Sequence, residues 1–70
     1  MNLGKALAEA GKGHLMTRKA WKGDGYFGYF NRMLVVKSYK NPEKKIPVSF
    51  LWDVPNLNAD DYVKFEEGKL

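Results

Sequence analysis

At 70 residues, with 44% hydrophobic and 14% aromatic side chains and a formal net charge of +4, the chain has room for one domain, residues 1–70, and too many apolar groups to stay disordered. It has no cysteine, which excludes disulfides and thiolate zinc sites, and its one histidine, His14, cannot hold a transition metal alone. It lacks both a run of about 18 apolar residues to span a membrane and the basic-then-apolar opening of a secretory signal, so a soluble cytoplasmic protein without metal or cofactor is expected.

Asn2 is a good helix cap, and Leu3, Ala6, Leu7 and Ala10 then recur at helical spacing. The spacing predicts a short amphipathic helix over residues 3–10, stopped by Gly11 and Gly13. A helix this short does not persist alone and must dock on a sheet. "LMTR", residues 15–18, reads as a first strand. The turn signal Gly23-Asp24-Gly25 leads to a second, "YFGYF" at 26–30. Asn31-Arg32 separates two apolar runs as a tight hairpin turn, and "MLVVKSY" at 33–39 is the third strand. "KNPEKK" reads as an exposed loop and "VSFLW", residues 48–52, as a fourth strand. After Pro55, "NADDY" predicts one helical turn capped by Asn58, with Asp60 and Asp61 in its first turn. "YVKFE" is a last short strand. The expected fold class is α+β, one N-terminal helix packed on a small antiparallel sheet with a short C-terminal helical turn.

Several of these strands are apolar on both faces. In "GYFGYF", Tyr26 and Phe30 point to one side and Phe27 and Tyr29 to the other. One eight-residue helix does not cover both sides of such a sheet, and a chain this small buries only about 60% of its unfolded surface. With disulfides and metals excluded, self-association is the expected support, making the protein a homo-oligomer. Charge is also uneven: residues 1–52 carry ten Lys/Arg against three acids, and residues 53–70 carry two Lys against five acids. The basic part therefore suits an anionic partner.

Three readings of the aromatic run compete. It can be core and subunit interface, since rings dominate both. It can stack bases, because Phe27-Gly28-Tyr29 among basic residues partly matches the aromatic-Gly-aromatic strands of single-stranded nucleic-acid binders, although Tyr26 stands where those have Gly. It can wall a small nucleotide pocket. Arg18 would then meet a phosphate, while Trp21, Phe27 and Tyr29 supply flat apolar surface. Trp52, Asn56, Asp60 and Asp61 add a further ring and polar edges. Each has a structural alternative: a salt bridge for Arg18, packing for Trp21, core for Trp52, a turn for Asn56, and helix N-terminal charge for Asp60 and Asp61. Neither a dinucleotide fingerprint nor a phosphate-cradling loop is present to narrow the choice.

Three blocks, "LGKALAEAGKG", "MTRKAWKGDGYF" and "FLWDVPNLNADDYVKF", resemble a family of small phage proteins, the Thoeris anti-defence sponges. The likeness is carried by Gly11, Arg18, Trp21, Gly23, Phe27, Trp52, Leu57, Ala59, Asp60 and Asp61. Tyr62 stands where that family usually has Trp, and residues 33–47 are shorter than its middle. The resemblance implies a small oligomer, a tetramer, acting in the cytoplasm of an infected bacterium. Such a protein binds cyclic ADP-ribose isomers made by TIR-domain enzymes, or related cyclic dinucleotides, without degrading them. The residues agree with a protein that is not an enzyme, since no nucleophile-base-acid grouping stands out. On this reading Arg18, Trp21, Phe27, Tyr29, Asn56, Asp60 and Asp61 bind the ligand in pockets between subunits. The competing expectation is a small single-stranded nucleic-acid-binding protein using the aromatic strand.

Overall fold

The computed structural model describes residues 1–66. Helix α1 spans Leu3–Gly11, with the Asn2 carbonyl oxygen Oδ1 accepting from the Lys5 N–H at 2.9 Å as the spacing predicts. Its buried stripe is Leu3, Ala6 and Ala10. Gly13, at φ +99°, supplies the left-handed turn that ends it. Strands β1 (Met16–Arg18), β2 (Gly25–Phe30), β3 (Met33–Ser38), β4 (Lys45–Ile46) and β5 (Tyr62–Lys64) follow. They form one antiparallel sheet in the order β4-β3-β2-β1-β5. The α+β expectation therefore holds. Among the described residues, no helix is long and apolar enough to cross a membrane.

The β2–β3 hairpin is closed by Asn31 and Arg32, both at positive φ (52° and 66°), with Phe30 paired to Met33. This is the two-residue turn whose twist matches that of the strands. Register then sorts the side chains. Met16, Phe27, Val36 and Tyr62 lie on the α1 side and form the core with Leu51 and the helix stripe. Tyr26, Gly28, Phe30, Val35 and Lys37 face the other way. Gly28 is needed there: a Cβ would sit 2.8 Å from the Leu15 side chain that lies over it.

Two expectations fail. "VSFLW" is not a strand but a 3-10 helix, Val48–Trp52, entered through the extended Pro47. Its burial falls on Leu51 with Phe50 half-buried, a helical grouping rather than alternation. Trp52, expected in the core, is 44% exposed. The strand comes earlier, as β4, which starts at Lys45, the last residue of the segment read as a loop, because Ile46 pairs with Val36 and supplies the apolar contact. The helical turn expected at Asn58–Tyr62 is also absent. Turns occupy residues 54–58 instead, closed by the Leu57 N–H on the Asp53 carbonyl (2.9 Å), and the Val54–Pro55 peptide is cis. Asp60 and Asp61 are extended and lead into β5.

Candidate functional site

Four of the expected site residues meet in one hydrogen-bonded clasp. A short 3-10 turn, Lys19–Trp21, follows β1 and swings the Trp21 indole back over the sheet. Beneath it is Gly25, where a Cβ would stand only 3.2 Å from the indole Cε3, so the ring lies close against β2 because that position has no side chain. The buried Asn56 is the hub. Its Oδ1 accepts from Arg18 Nη1 (2.8 Å) and Trp21 Nε1 (3.2 Å), and its Nδ2 donates to the Phe50 carbonyl (2.9 Å). The buried Tyr62 hydroxyl donates to the Asn56 carbonyl at 2.7 Å.

Arg18 Nε donates to Asp61 Oδ1 at 2.6 Å, and Asp61 Oδ2 accepts the Ala20 N–H at 3.1 Å. The Arg18 hydrogen bond, helped by that N–H, holds the Asp61 carboxyl below its ordinary range despite partial desolvation. Burial pushes the Tyr62 phenol up. The guanidinium expected on a phosphate is thus turned inward onto protein acceptors, and Asp61 serves an ion pair rather than a helix terminus.

Beside the clasp, on the α1 side of the sheet, a cleft of about 440 Å³ opens within a single protomer. Trp21, Gly25, Val36, Ile46, Pro47 and Phe50 give it apolar walls, and the Trp21 and Phe50 rings approach to 5.8 Å between centroids. Phe27 and Tyr62 brace the indole from the core, each edge-on at 71° and 88°. Its polar groups are Asp24, Ser38, Lys44 and Lys45. Lys45 sits on the edge strand in register with Lys37, so it borders the cleft and the opposite face alike. Asp24 Oδ1 accepts the Ser38 hydroxyl at 3.0 Å and the Lys40 N–H at 3.2 Å, which lowers its pKa. Among the described residues neither Lys44 nor Lys45 makes an ion pair. The volume falls within the range of small-molecule sites, and apolar walls with a few convergent polar groups are their usual chemistry.

Of the residues expected to bind ligand, only Trp21 lines this cleft. Arg18, Asn56 and Asp61 stand behind its wall. Phe27, expected on a pocket wall or subunit seam, has no exposed surface and belongs to the core. Tyr29 is 45% exposed and lies away from the cleft. Asp60 is exposed, and its carbonyl accepts from the Met1 amine at 2.9 Å. Sequence reasoning placed Lys44 and Lys45 in an exposed loop, either closing over phosphates or, the preferred reading, keeping it soluble, and assigned no ligand-binding role to Asp24, Ser38 or Phe50. The available signal was a lysine pair running directly into Ile46-Pro47, where charge adjoins apolar surface. Compared with known proteins, the chain matches no family model, no curated sequence and no solved structure.

Proposed function

We propose that this protein is a nucleotide sponge: it binds a small anionic cyclic nucleotide in the Trp21–Phe50 cleft and holds it without chemistry. The single observation that carries the reading is the pairing, at one cleft, of an aromatic wall with two lysines that make no ion pair among the described residues. A heterocycle packs on the ring-lined wall, while Lys44 and Lys45 neutralise phosphate. The clasp holds the indole in place beforehand, which lowers the ordering cost of binding. The proposal takes its ligand class, cyclic ADP-ribose isomers with cyclic dinucleotides second, from the likeness of the terminal blocks to phage Thoeris anti-defence sponges. Action in the infected bacterial cytoplasm, as an assembly of several copies, is part of the same proposal.

The test is capture and release. The protein is incubated with each cyclic nucleotide, freed of unbound ligand, denatured by heat, and the released material identified by mass spectrometry. Recovery of unaltered nucleotide is expected. Trp21→Ala and a Lys44→Glu/Lys45→Glu double variant should each weaken capture about tenfold or more, equivalent to roughly 1.4 kcal/mol, with circular dichroism unchanged. Chemically altered nucleotide, or no capture of any nucleotide tested, overturns the proposal.

A further inference from the structure

Among the described residues, Asp24 is the one acidic side chain on the cleft, and its two oxygens are used unequally. Oδ1 accepts both the Ser38 hydroxyl (3.0 Å) and the Lys40 N–H (3.2 Å). The Ser38 oxygen in turn accepts the Asn41 N–H at 3.1 Å, and the Asn41 carbonyl accepts the Lys44 N–H at 3.0 Å. This run of bonds shapes the loop that leads to Lys44 and Lys45. Oδ2 has no part in it: among the described residues nothing donates to that oxygen, and neither lysine pairs with it.

A charged oxygen left over at an apolar cleft is a strong acceptor that lacks a donor. Its place indicates which part of a guest supplies one. Asp24 immediately precedes Gly25, against which the Trp21 indole lies, so the carboxylate borders the ring-lined wall. Lys45 is on β4, and β3 separates that strand from β2, a distance of two strand spacings or about 10 Å. The acidic and basic ends of the cleft are thus apart. A nucleotide whose phosphate sits on the lysines turns its base toward Asp24, because the carboxylate repels phosphate.

Base edges differ in what they offer that oxygen. An amine at purine C6 donates, whereas an oxo group there only accepts and would face the carboxylate as one acceptor against another. An edge with two parallel donors calls for both carboxylate oxygens, and Oδ1 is already taken.

We propose that Asp24 is the specificity-determining residue of the cleft: its Oδ2 accepts from the 6-amino group of a bound purine and so selects amino over oxo bases. The inference rests on the nucleotide reading of the same cleft and adds which base edge is read, and by which atom.

The variant Asp24→Asn tests it. Both partners of Oδ1 are donors, so the amide keeps its oxygen toward Ser38 and Lys40, the loop is preserved, and an NH2 group replaces Oδ2. An acceptor becomes a donor, and the preference should reverse. A role confined to shaping the loop predicts no reversal. The probes are cyclic ADP-ribose joined through adenine N1 and its 6-oxo counterpart. They differ only in the group at C6, since the N1 linkage leaves the oxo form no N1–H. Dissociation constants are measured by isothermal titration calorimetry. The wild type should hold the amino form about tenfold or more tighter than the oxo form. Asp24→Asn should favour the oxo form, with circular dichroism unchanged. Equal wild-type affinity for the two forms, or an unaltered preference in Asp24→Asn, overturns the inference, while the binding itself leaves the proposed function standing. Binding of neither form also overturns it, and the proposed function falls with it only when no other cyclic nucleotide is captured.

Discussion

Asn56 concentrates more hydrogen bonds than any other side chain described in the cleft's support. Two donors from different elements converge on one amide oxygen, and the amide nitrogen faces a backbone carbonyl, so the amide orientation is fixed by its partners. Removing it leaves a part-buried guanidinium nitrogen, an indole N–H and the Phe50 carbonyl all without that partner. Asn56→Ala is therefore expected to destabilise the fold by about 2–3 kcal/mol, the cost of unmade bonds to buried polar and charged groups, measured as a shift in urea midpoint at unchanged slope. The Asn56→Asp variant would keep the acceptor but lose the donor, and a smaller loss separates the two halves of the amide's work.

At the scale of single elements, the β2–β3 hairpin is where sequence and geometry are least at ease. Arg32 occupies the second central turn position at φ 66°, where glycine is the usual choice. Arg32→Gly is expected to stabilise the protein by up to about 1 kcal/mol, the relief of left-handed strain less the entropy of glycine. Arg32→Val should destabilise it, because a branched Cβ fits that conformation worse. Thermal melts of the two variants should bracket the wild type, and the opposite order would refute the turn assignment.

This hairpin was legible in the sequence because its signals are local: two apolar runs around Asn31-Arg32. So was α1, whose cap and periodicity lie within ten residues. The cleft was not, because its walls come from β2, β3, β4 and the Val48–Trp52 turn, and nothing in "KNPEKK" or "VSFLW" says that they meet. Apolar runs of five residues do not distinguish strand from 3-10 helix by periodicity alone. Arg18 and Asp61 were singled out as ligand-binding candidates, with a salt bridge as the alternative for Arg18 and helix N-terminal charge for Asp61, but the sequence does not reveal that they are each other's partner 43 residues apart.

For the molecule as a whole, the Arg18–Asp61 pair ties β1 to the approach to β5 and makes stability depend on pH. The folded Asp61 carboxyl holds its proton less readily than the unfolded one, chiefly through the Arg18 hydrogen bond. Its contribution is complete above the unfolded carboxylate range and disappears as pH falls through the depressed folded value. Asp24, lowered first by Ser38 and then by the Lys40 N–H, acts in the same direction. The melting temperature should fall between about pH 5 and pH 2, and Asp61→Asn should flatten that fall while lowering the value at neutral pH. A wild-type curve that stays level into acid would separate the pair from the fold's stability.

Strand β4 is only two residues long and is held to the sheet on one side, through Val36 and Lys37. It is also the strip that carries Lys45 and Ile46 to the cleft mouth. Under the proposed function, a guest admitted by lifting this hem of the sheet costs the Ile46 contact with the core but leaves the Asn56 hub in place. On that reading entry and part of the grip share one strip, so a change at Lys45 alters the rate of loading and the depth of the hold together.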